Sequence, residues 1–319
     1  MPSAKLKPKP TISIVGAGRL GTALALALAA IGYRIGALVA SRAVGARKAA
    51  ALLDGHQSRV ASPHANLGMP AAPSLTLASR QIGKLPPTDV VIIATPDDQI
   101  ENVAADLVQV QTVGGKTRTV LHTSGALSST ILAPLAKKGW RIGSIHPLVA
   151  VSDPASGAKA LRGAFWCIEG DKSAIRLART IVHDLEGQSF SISAKQKPLY
   201  HAAAVMASGN LVALFDIALE MLAHCGLTAK EAQRVLLPLV ESTVRNLSIS
   251  QPAQALTGTF ARGDLATVQR HLKALSTKTL VEPLQLYRLL GHRAVSLAKK
   301  NGADPRVLRQ ITEALDRDK

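Results

Sequence analysis

Aromatic side chains are scarce in this chain: Phe, Tyr and Trp make up 3% of its 319 residues, whereas apolar residues as a group make up 47%. A large hydrophobic core built from Ala, Leu, Val and Ile is therefore available, which excludes global disorder. A platform that stacks nucleic-acid bases needs several aromatic side chains on one surface, so their scarcity argues against that function.

Cysteine is also nearly absent, since Cys167 and Cys225 are the only two and lie far apart. This excludes a disulfide framework and argues against a thiolate metal centre, and it favours a reducing, cytoplasmic compartment. The sequence has no H-E-x-x-H motif and no cluster of acidic residues, so we expect no bound metal.

The sequence lacks a run of the roughly 18–20 uncharged apolar residues that a membrane-spanning helix requires, so an integral membrane protein is not expected. Residues 1–10 have no apolar stretch of the signal-peptide kind and are predicted to form a disordered tail. Acidic residues are few, and 38 Lys and Arg against 21 Asp and Glu give a net charge of +17. This charge is spread evenly without a basic stripe, which favours an anionic cofactor and a small anionic substrate over nucleic acid.

Strand-like and helical runs alternate over residues 11–194. This pattern predicts an α/β domain with a Rossmann-type doubly wound parallel sheet. Strand patterns then stop, and residues 195–319 are predicted to form an all-α C-terminal domain. Its segment His201–Cys225 is apolar almost all round, which predicts a helix buried on every face. We therefore expect a homodimer through this domain.

A glycine-rich turn, Gly16-Ala-Gly-Arg-Leu-Gly21, follows the first predicted strand and opens the first predicted helix. Gly16 would allow the tight turn, Gly18 the approach of a diphosphate to the backbone, and Gly21 the close packing of helix on strand. The helix N-terminus, including Arg19 and Leu20, would bind the diphosphate through free N–H groups.

The end of the second strand distinguishes between the two nicotinamide dinucleotides. NAD sites carry an acidic residue there, whereas this chain has Ser41-Arg42 and no acidic residue from Thr22 to Leu53. A hydroxyl and a guanidinium bind a 2′-phosphate that a carboxylate would repel. The sequence therefore predicts NADP(H).

Two further segments are expected at the carboxyl edge of the sheet, where cofactors lie in this fold. Thr95 and Pro96 follow a buried strand and are predicted to line the nicotinamide ribose. Thr123 and Ser124 follow the next strand, so their hydroxyls and amides would face the reactive end of the cofactor.

With these motifs placed, the chain resembles the 6-phosphogluconate dehydrogenase-like superfamily from Ile12 to Leu290. Within it, the chain is most similar to a little-characterised family that pairs a Rossmann-like domain with a helical domain of unknown function. The segments that carry the resemblance are His122-Thr-Ser-Gly-Ala, Ser144-Ile-His-Pro-Leu, Lys197-Pro-Leu-Tyr-His-Ala-Ala-Ala, Ala255-Leu-Thr-Gly and Arg262-Gly-Asp264 with His271-Leu. It departs from the family at Ser208-Gly209-Asn210, where Ser-Asn is frequent, and at Thr259, where Pro is expected.

The resemblance implies hydride transfer between a nicotinamide and a small carboxylic acid, as in ketopantoate reductases, 3-hydroxyisobutyrate dehydrogenases, prephenate dehydrogenases and pyrroline-5-carboxylate reductases. It implies most directly the reduction of a 2-oxo acid, with 2-dehydropantoate as the specific expectation. Two alternatives remain: an imine reductase of the pyrroline-5-carboxylate type, and a non-catalytic NADP-binding protein.

Reduction of a ketone needs a proton donor beside the carbonyl and a cation for the carboxylate. The resemblance implies Lys197 or His146 as the donor, and His201, one helical turn after Lys197, acts directly or orients it. Arg262 is the predicted carboxylate clamp because its planar fork matches two oxygens.

The remaining substrate-binding candidates are Ser124, Asn210 and Thr257, whose side chains offer hydroxyl or amide hydrogen bonds.

Overall fold

The structure, a computed structural model, describes residues 8–60, 74–110 and 117–317, with only the backbone described for residues 56–60. Most of the predicted N-terminal tail, residues 1–10, lies outside these ranges. So do residues 61–73, which belong to segment 55–74, predicted to be a loop because it is rich in Gly, Pro, Ser, Asn and His.

The first compact unit is built on one eight-stranded sheet within the described residues, in the order β3-β2-β1-β4-β5-β6-β7-β8. The strands are β1 (Ile12–Val15), β2 (Ile35–Ala40), β3 (Leu75–Ala78), β4 (Val90–Ile93), β5 (Thr119–His122), β6 (Arg141–Pro147), β7 (Phe165–Gly170) and β8 (Gln188–Phe190). Strands β1 to β6 are parallel, whereas β7 runs antiparallel to β6 and parallel to β8. The predicted Rossmann-type α/β fold is confirmed.

Helices cover the two faces of this sheet. They are α1 (Arg19–Ala30), α2 (Ala43–Val60), α3 (Asp97–Leu107), α4 (Ala133–Ala136), α5 (Pro154–Ala160), α6 (Lys172–Asp184) and α7 (Lys197–Ala207). Sequence patterns did not predict α5, although Asp153 caps it by accepting from the backbone N–H groups of Ala155 and Ser156, and Pro154 is its first residue.

Alternate residues of each central strand enter two separate hydrophobic cores. In β4, Val90 and Ile92 belong to the core on one face of the sheet, and Val91 and Ile93 to the core on the other. A strand buried on both faces in this way is a continuous apolar run, which is why the sequence Val90–Ile93 was recognisable as a central strand.

The second compact unit is all-helical. It contains α8 (Gly209–Ala223), α9 (Ala229–Ile249), α10 (Pro252–Ala255), α11 (Gly258–Ala261), α12 (Leu265–Leu275), α13 (Val281–Lys300) and α14 (Pro305–Asp316). Its core joins α12 and α14 through Val268, Leu272, Ile311 and Leu315.

The sequence predicts three helix starts in the second unit, from the capping-box spacing Thr228-Ala-Lys-Glu231, from Asp264 and from Asp304-Pro305, and all three are confirmed. Thr228 and Glu231 form a capping box at α9, in which the Thr228 hydroxyl accepts from the Glu231 backbone N–H. The Asp264 carboxylate accepts from the Thr267 N–H at α12, and Asp304 caps α14.

The compact units divide between Ser208 and Gly209, later than the predicted boundary near residue 194. The difference arises because α7 is attached to the first unit through the buried side chain of Lys197. The expected single helix over His201–Cys225 is wrong: the chain leaves helical geometry at Ser208, where φ is −124° and ψ is −80°. No residue of α8 is buried in the isolated chain.

We expected no segment able to cross a membrane. By length and composition alone, however, Ala194–Ala223 could do so, because it contains a window with a mean hydropathy of 1.8. One such segment is weak support for a membrane span, because core helices of water-soluble proteins pass the same test.

Candidate functional site

The glycine-rich turn between β1 and α1 has the geometry that its three glycines predicted. Gly16 has a φ of +101°, and a Cβ atom there would lie 2.5 Å from the carbonyl carbon of Ala94 at the end of β4. A Cβ atom at Gly21 would collide with the Gly16 carbonyl oxygen, so close helix–strand packing depends on its absence. A Cβ atom at Gly18 would meet nothing within 4 Å, so this part of the turn is open to a ligand.

The N-terminus of α1 suits an anion. Gly18 is its N-cap residue and provides no side-chain cap, so the first backbone N–H groups of the helix remain available. Arg19 is exposed and Leu20 is half-buried at this end. The predicted diphosphate site thus has both the space and the donors that it requires.

Two arginines follow neighbouring strand ends at the far side of this turn. Ala40 of β2 pairs with Ala78 of β3, so Ser41-Arg42 and the segment that contains Arg80 leave the sheet side by side. The Ser79 hydroxyl lies 3.5 Å from the Ser41 carbonyl oxygen. Arg42 and Arg80 are both exposed, which leaves two guanidinium groups where one was predicted.

Thr95, at the end of β4, has a buried hydroxyl oxygen without a hydrogen-bond partner among the described residues. A buried hydroxyl of this kind usually has a partner, and a bound ligand can supply it. Pro96 is exposed, and the backbone N–H of Thr123 donates to the Ile93 carbonyl at 2.9 Å. Thr95 therefore fits the predicted position beside a cofactor.

Ser124 does not have the free hydroxyl that was predicted for contact with substrate. Its hydroxyl donates to the Asp97 carboxylate at 2.7 Å and accepts from the backbone N–H groups of Ala126 and Leu127. Because these bonds use its hydrogen and both lone pairs, Ser124 holds the loop after β5 in shape and has nothing left to offer a ligand.

Lys197, predicted to reach the substrate, is instead fully buried, with 0% of its surface exposed. Its Nζ donates to the Ser124 carbonyl at 3.2 Å and to the Ser144 hydroxyl at 2.9 Å. Burial lowers the pKa of Lys197 below its ordinary value, against the opposing influence of Cys167, Glu169 and Asp97. Lys197 thus ties α7 to the ends of β5 and β6, and its role as proton donor stays a prediction.

His146 and His201 come together over the loop that follows β5. Their ring centroids lie 5.5 Å apart, with the planes nearly perpendicular. A Cβ atom at Gly125 would lie 2.8 Å from His146 Nε2 and would collide with the His201 ring, so the backbone of Gly125 approaches both rings closely. The other ring nitrogen of His146, Nδ1, lies 2.7 Å from the Tyr200 hydroxyl.

His146 is half-buried, and it carries no charge at neutral pH. Burial lowers its pKa to about 4, and the neighbouring His201 and Lys197 act in the same direction. The pKa of the fully buried His122, whose Nδ1 accepts from the Ser124 N–H, is lowered further, to about 3, mainly by burial.

Asn210, Thr257 and Arg262, the other predicted substrate contacts, all belong to the second unit. All three are exposed: Asn210 lies in the first turn of α8, Thr257 is the N-cap residue of α11, and Arg262 is its C-cap residue. Their roles stay predictions. Among the described residues no cluster of His, Cys, Asp or Glu can hold a metal ion.

The sequence analysis missed Arg80 and Tyr200. Arg80 lies next to Arg42 only because β3 pairs with β2, and β3 was not recognised. Tyr200 was visible within the Lys197–Ala204 motif, but nothing in that motif indicates that its hydroxyl meets His146.

Comparison with known proteins gives two family matches. A Rossmann-like domain matches residues 2–147, and a domain of unknown function, DUF2520, matches residues 164–294. No curated protein matches the chain significantly.

Solved structures share this fold over nearly the whole chain. Protein TM1727 of Thermotoga maritima is 22% identical, with a TM-score of 0.66 over 91% of this chain and 99% of its own. BF3122 of Bacteroides fragilis, provisionally named an NADP oxidoreductase, is 21% identical, with a TM-score of 0.67 over 92% and 99%. The 1-pyrroline-5-carboxylate reductase of Streptococcus pyogenes is 14% identical, with a TM-score of 0.55 over 96% and 100%.

Proposed function

The chain joins a Rossmann-like domain to a DUF2520 domain, in the arrangement of the 6-phosphogluconate dehydrogenase-like superfamily, and from this we propose that it is an NADPH-dependent oxidoreductase. The proposed reaction is reduction of the carbonyl group of a small 2-oxo acid, with 2-dehydropantoate as the specific candidate. One observation carries the proposal: the open glycine turn, Thr95 and His146 lie at the carboxyl ends of β1, β4 and β6, along one edge of the sheet.

NADPH, when bound, supplies the hydride. The backbone of Gly16, Gly18 and Gly21, with Arg19 and Leu20, would hold its diphosphate. Ser41, Arg42 and Arg80 would hold the 2′-phosphate, and Thr95, Pro96 and Thr123 would line the nicotinamide ribose. The provisional name of the Bacteroides fragilis structure supports this choice of cofactor.

His146 is the residue proposed to face the substrate oxygen: its neutral Nε2–H would donate a hydrogen bond that stabilises the developing alkoxide, and solvent would supply the proton of the product. His146 is half-buried beside the Gly125 backbone. Lys197, the other candidate, is fully buried, and its Nζ donates to the Ser144 hydroxyl inside the protein. His201 would contact the substrate next to His146. Arg262, Asn210 and Thr257, which belong to the second unit, keep the substrate-binding roles predicted from the sequence.

Reduction of a cyclic imine is the second candidate. An iminium ion already carries its proton on nitrogen, so its reduction makes less demand on a proton donor. The neutral state of His146 is compatible with that reaction. The pyrroline-5-carboxylate reductase among the similar structures adds support.

The exposed apolar side chains of the second unit support a homodimer. Val212, Leu239, Ile249 and Leu289 are each more than 60% exposed in the isolated chain. When several apolar side chains of one unit are exposed to this extent, a partner surface usually covers them. Light scattering should give twice the chain mass, and Val212→Lys combined with Leu239→Lys should reduce it to one chain; a monomeric wild type would refute the dimer.

The free Cys167 and Cys225 support the cytoplasmic compartment.

An NADPH-oxidation screen tests the function. The panel contains 2-oxo acids, including 2-dehydropantoate, and cyclic imines, including pyrroline-5-carboxylate. Turnover of an oxo acid supports the first candidate, and turnover of imines alone supports the second. NADPH binding without any turnover would identify a non-catalytic NADP-binding protein, and the absence of binding would refute the whole assignment.

A further inference from the structure

A row of three side chains crosses the last strands of the sheet. His146 of β6 is paired with Cys167 of β7, and Cys167 is paired with Phe190 of β8. Because residues directly opposite each other in a sheet project from the same face, the three side chains lie side by side. Tyr200 of α7 packs on this row, with ring centroids 5.6 Å from His146 and 5.8 Å from Phe190.

The Tyr200 hydroxyl meets two groups of this row. It lies 2.7 Å from His146 Nδ1, and it also interacts with the Cys167 thiol. The tyrosine ring is held on one side by Phe190, so the hydroxyl is directed at His146 by packing on three strands and not by a single flexible contact.

Neutral imidazole carries one proton, on either Nδ1 or Nε2. If the proton is on Nδ1, Nε2 can only accept a hydrogen bond and cannot donate one to a substrate oxygen. If it is on Nε2, the ring can donate there. The partner of Nδ1 therefore decides what His146 can do.

The Tyr200 hydroxyl has one hydrogen to donate, and a ring nitrogen accepts it better than a thiol sulfur, which is a weak acceptor. The favoured arrangement is therefore that Tyr200 donates its one hydrogen to His146 Nδ1, the stronger acceptor, and not to the Cys167 sulfur. This arrangement leaves the His146 proton on Nε2, the nitrogen that faces the Gly125 backbone.

We propose that Tyr200 is a positioning residue that holds His146 in the tautomer protonated on Nε2. The role of that proton in a reduction depends on the proposed function, whereas the tautomer itself does not. Tyr200 acts through His146 and has no assigned contact with substrate.

The first test is spectroscopic and needs no substrate. The chain contains nine histidines, so ¹⁵N-histidine labelling followed by long-range ¹H–¹⁵N correlation at pH 7 gives a tractable spectrum. The signal that disappears in His146→Gln belongs to His146. We expect the Nε2-protonated pattern in the wild type and a mixture of both tautomers in Tyr200→Phe, which keeps the aromatic ring.

The second unit offers a matched control. His271 Nδ1 lies 2.9 Å from the Tyr287 hydroxyl, with the rings in the same edge-to-face arrangement. Tyr287→Phe should change the His271 signal and leave that of His146 intact. An Nδ1-protonated His146 in the wild type would overturn the proposal even if Tyr200→Phe failed to fold, and so would an unchanged His146 signal in a folded Tyr200→Phe.

Kinetics separates the positioning role from the proposed function. With an active substrate, Tyr200→Phe should lower kcat about tenfold or more and leave the NADPH Kd unchanged. A normal kcat with a shifted tautomer would remove the catalytic importance of Tyr200. If the wild type reduces nothing yet shows the Nε2 tautomer, the proposed function fails and the structural role of Tyr200 stands.

Discussion

His146 and Tyr200 are 54 positions apart in the chain, yet Nδ1 of the histidine and the hydroxyl of the tyrosine are 2.7 Å apart. One residue ends a central strand and the other lies in the first turns of α7. Their contact links the helix that closes the first unit to the edge of the sheet where a cofactor is proposed to bind, and it makes the state of His146 depend on residues of three other elements.

His146→Gln should lower kcat for the best substrate by about 10²–10³-fold, the range expected when one hydrogen-bond donor to a developing oxyanion is removed. The NADPH Kd should not change, because no phosphate or ribose contact is assigned to this residue. Steady-state kinetics and a fluorescence titration measure the two quantities. His183→Gln, at a side chain that is 91% exposed, is the matched control. Equal losses in both variants would contradict the proposed role of His146.

Gly18→Val should abolish NADPH binding and leave the fold intact. A Cβ atom at Gly18 would meet no described atom within 4 Å, and the backbone there has an ordinary φ of −81°, but a valine side chain would fill the space proposed for the diphosphate. Isothermal titration and thermal unfolding check both points. Gly55→Val, at a position where a Cβ atom likewise meets no described atom within 4 Å, is the control. Retained NADPH affinity in Gly18→Val would exclude this turn as the site.

The single variants Arg42→Gln and Arg80→Gln should each raise the NADPH Kd about tenfold. This corresponds to the loss of about 1.4 kcal/mol of charge-assisted binding. The NADH Kd should be unaffected because NADH lacks the 2′-phosphate. Arg34→Gln, at the opposite end of β2, serves as the control. If NADPH and NADH binding weaken equally, neither arginine recognises the extra phosphate.

Stability should fall as the pH decreases from about 6.5 to 4. Burial lowers the pKa of His146 to about 4 and of His122 to about 3, from an ordinary value of 6.5. In this window the unfolded chain binds more protons than the folded one, so the free energy of unfolding decreases by roughly 1.4 kcal/mol per pH unit for each histidine.

Urea denaturation at several pH values measures this dependence. His146→Gln should have a shallower decline than the wild type because one of the two histidines is removed. His183→Gln should keep the wild-type slope. A His146→Gln protein with the wild-type slope would show that His146 is not held neutral in the fold.

Much of the cofactor region could be predicted because its signals are local. Gly16, Gly18 and Gly21 lie within one turn, and each meets a steric requirement that can be read from the order strand, turn, helix. Ser41 and Arg42 needed only the end of one strand. The helix starts at Thr228 and Asp264 were predictable for the same reason, since a cap and its donor are separated by three residues.

The reaction centre was only partly predictable. His146 and Lys197 were recognised as candidates, but their surroundings depend on strand order and register. Nothing in the sequence indicates that Lys197 is buried, whereas the packing of α7 places its ammonium group between Ser124 and Ser144. Ser124 appeared available, whereas Asp97 and the following loop occupy its hydroxyl.

The amino-acid sequence alone determined that this protein is a Rossmann-type α/β domain followed by helices, with a glycine turn and a basic strand end suited to NADP(H). Those properties follow from residue periodicity and turn chemistry, which act over a few neighbouring positions. Tertiary structure alone decided that Arg80 joins Arg42, that Lys197 is buried, and that Tyr200 and Cys167 meet beside His146. Such contacts join residues distant in the chain, and they exist only once strand pairing and helix packing have set the register between elements.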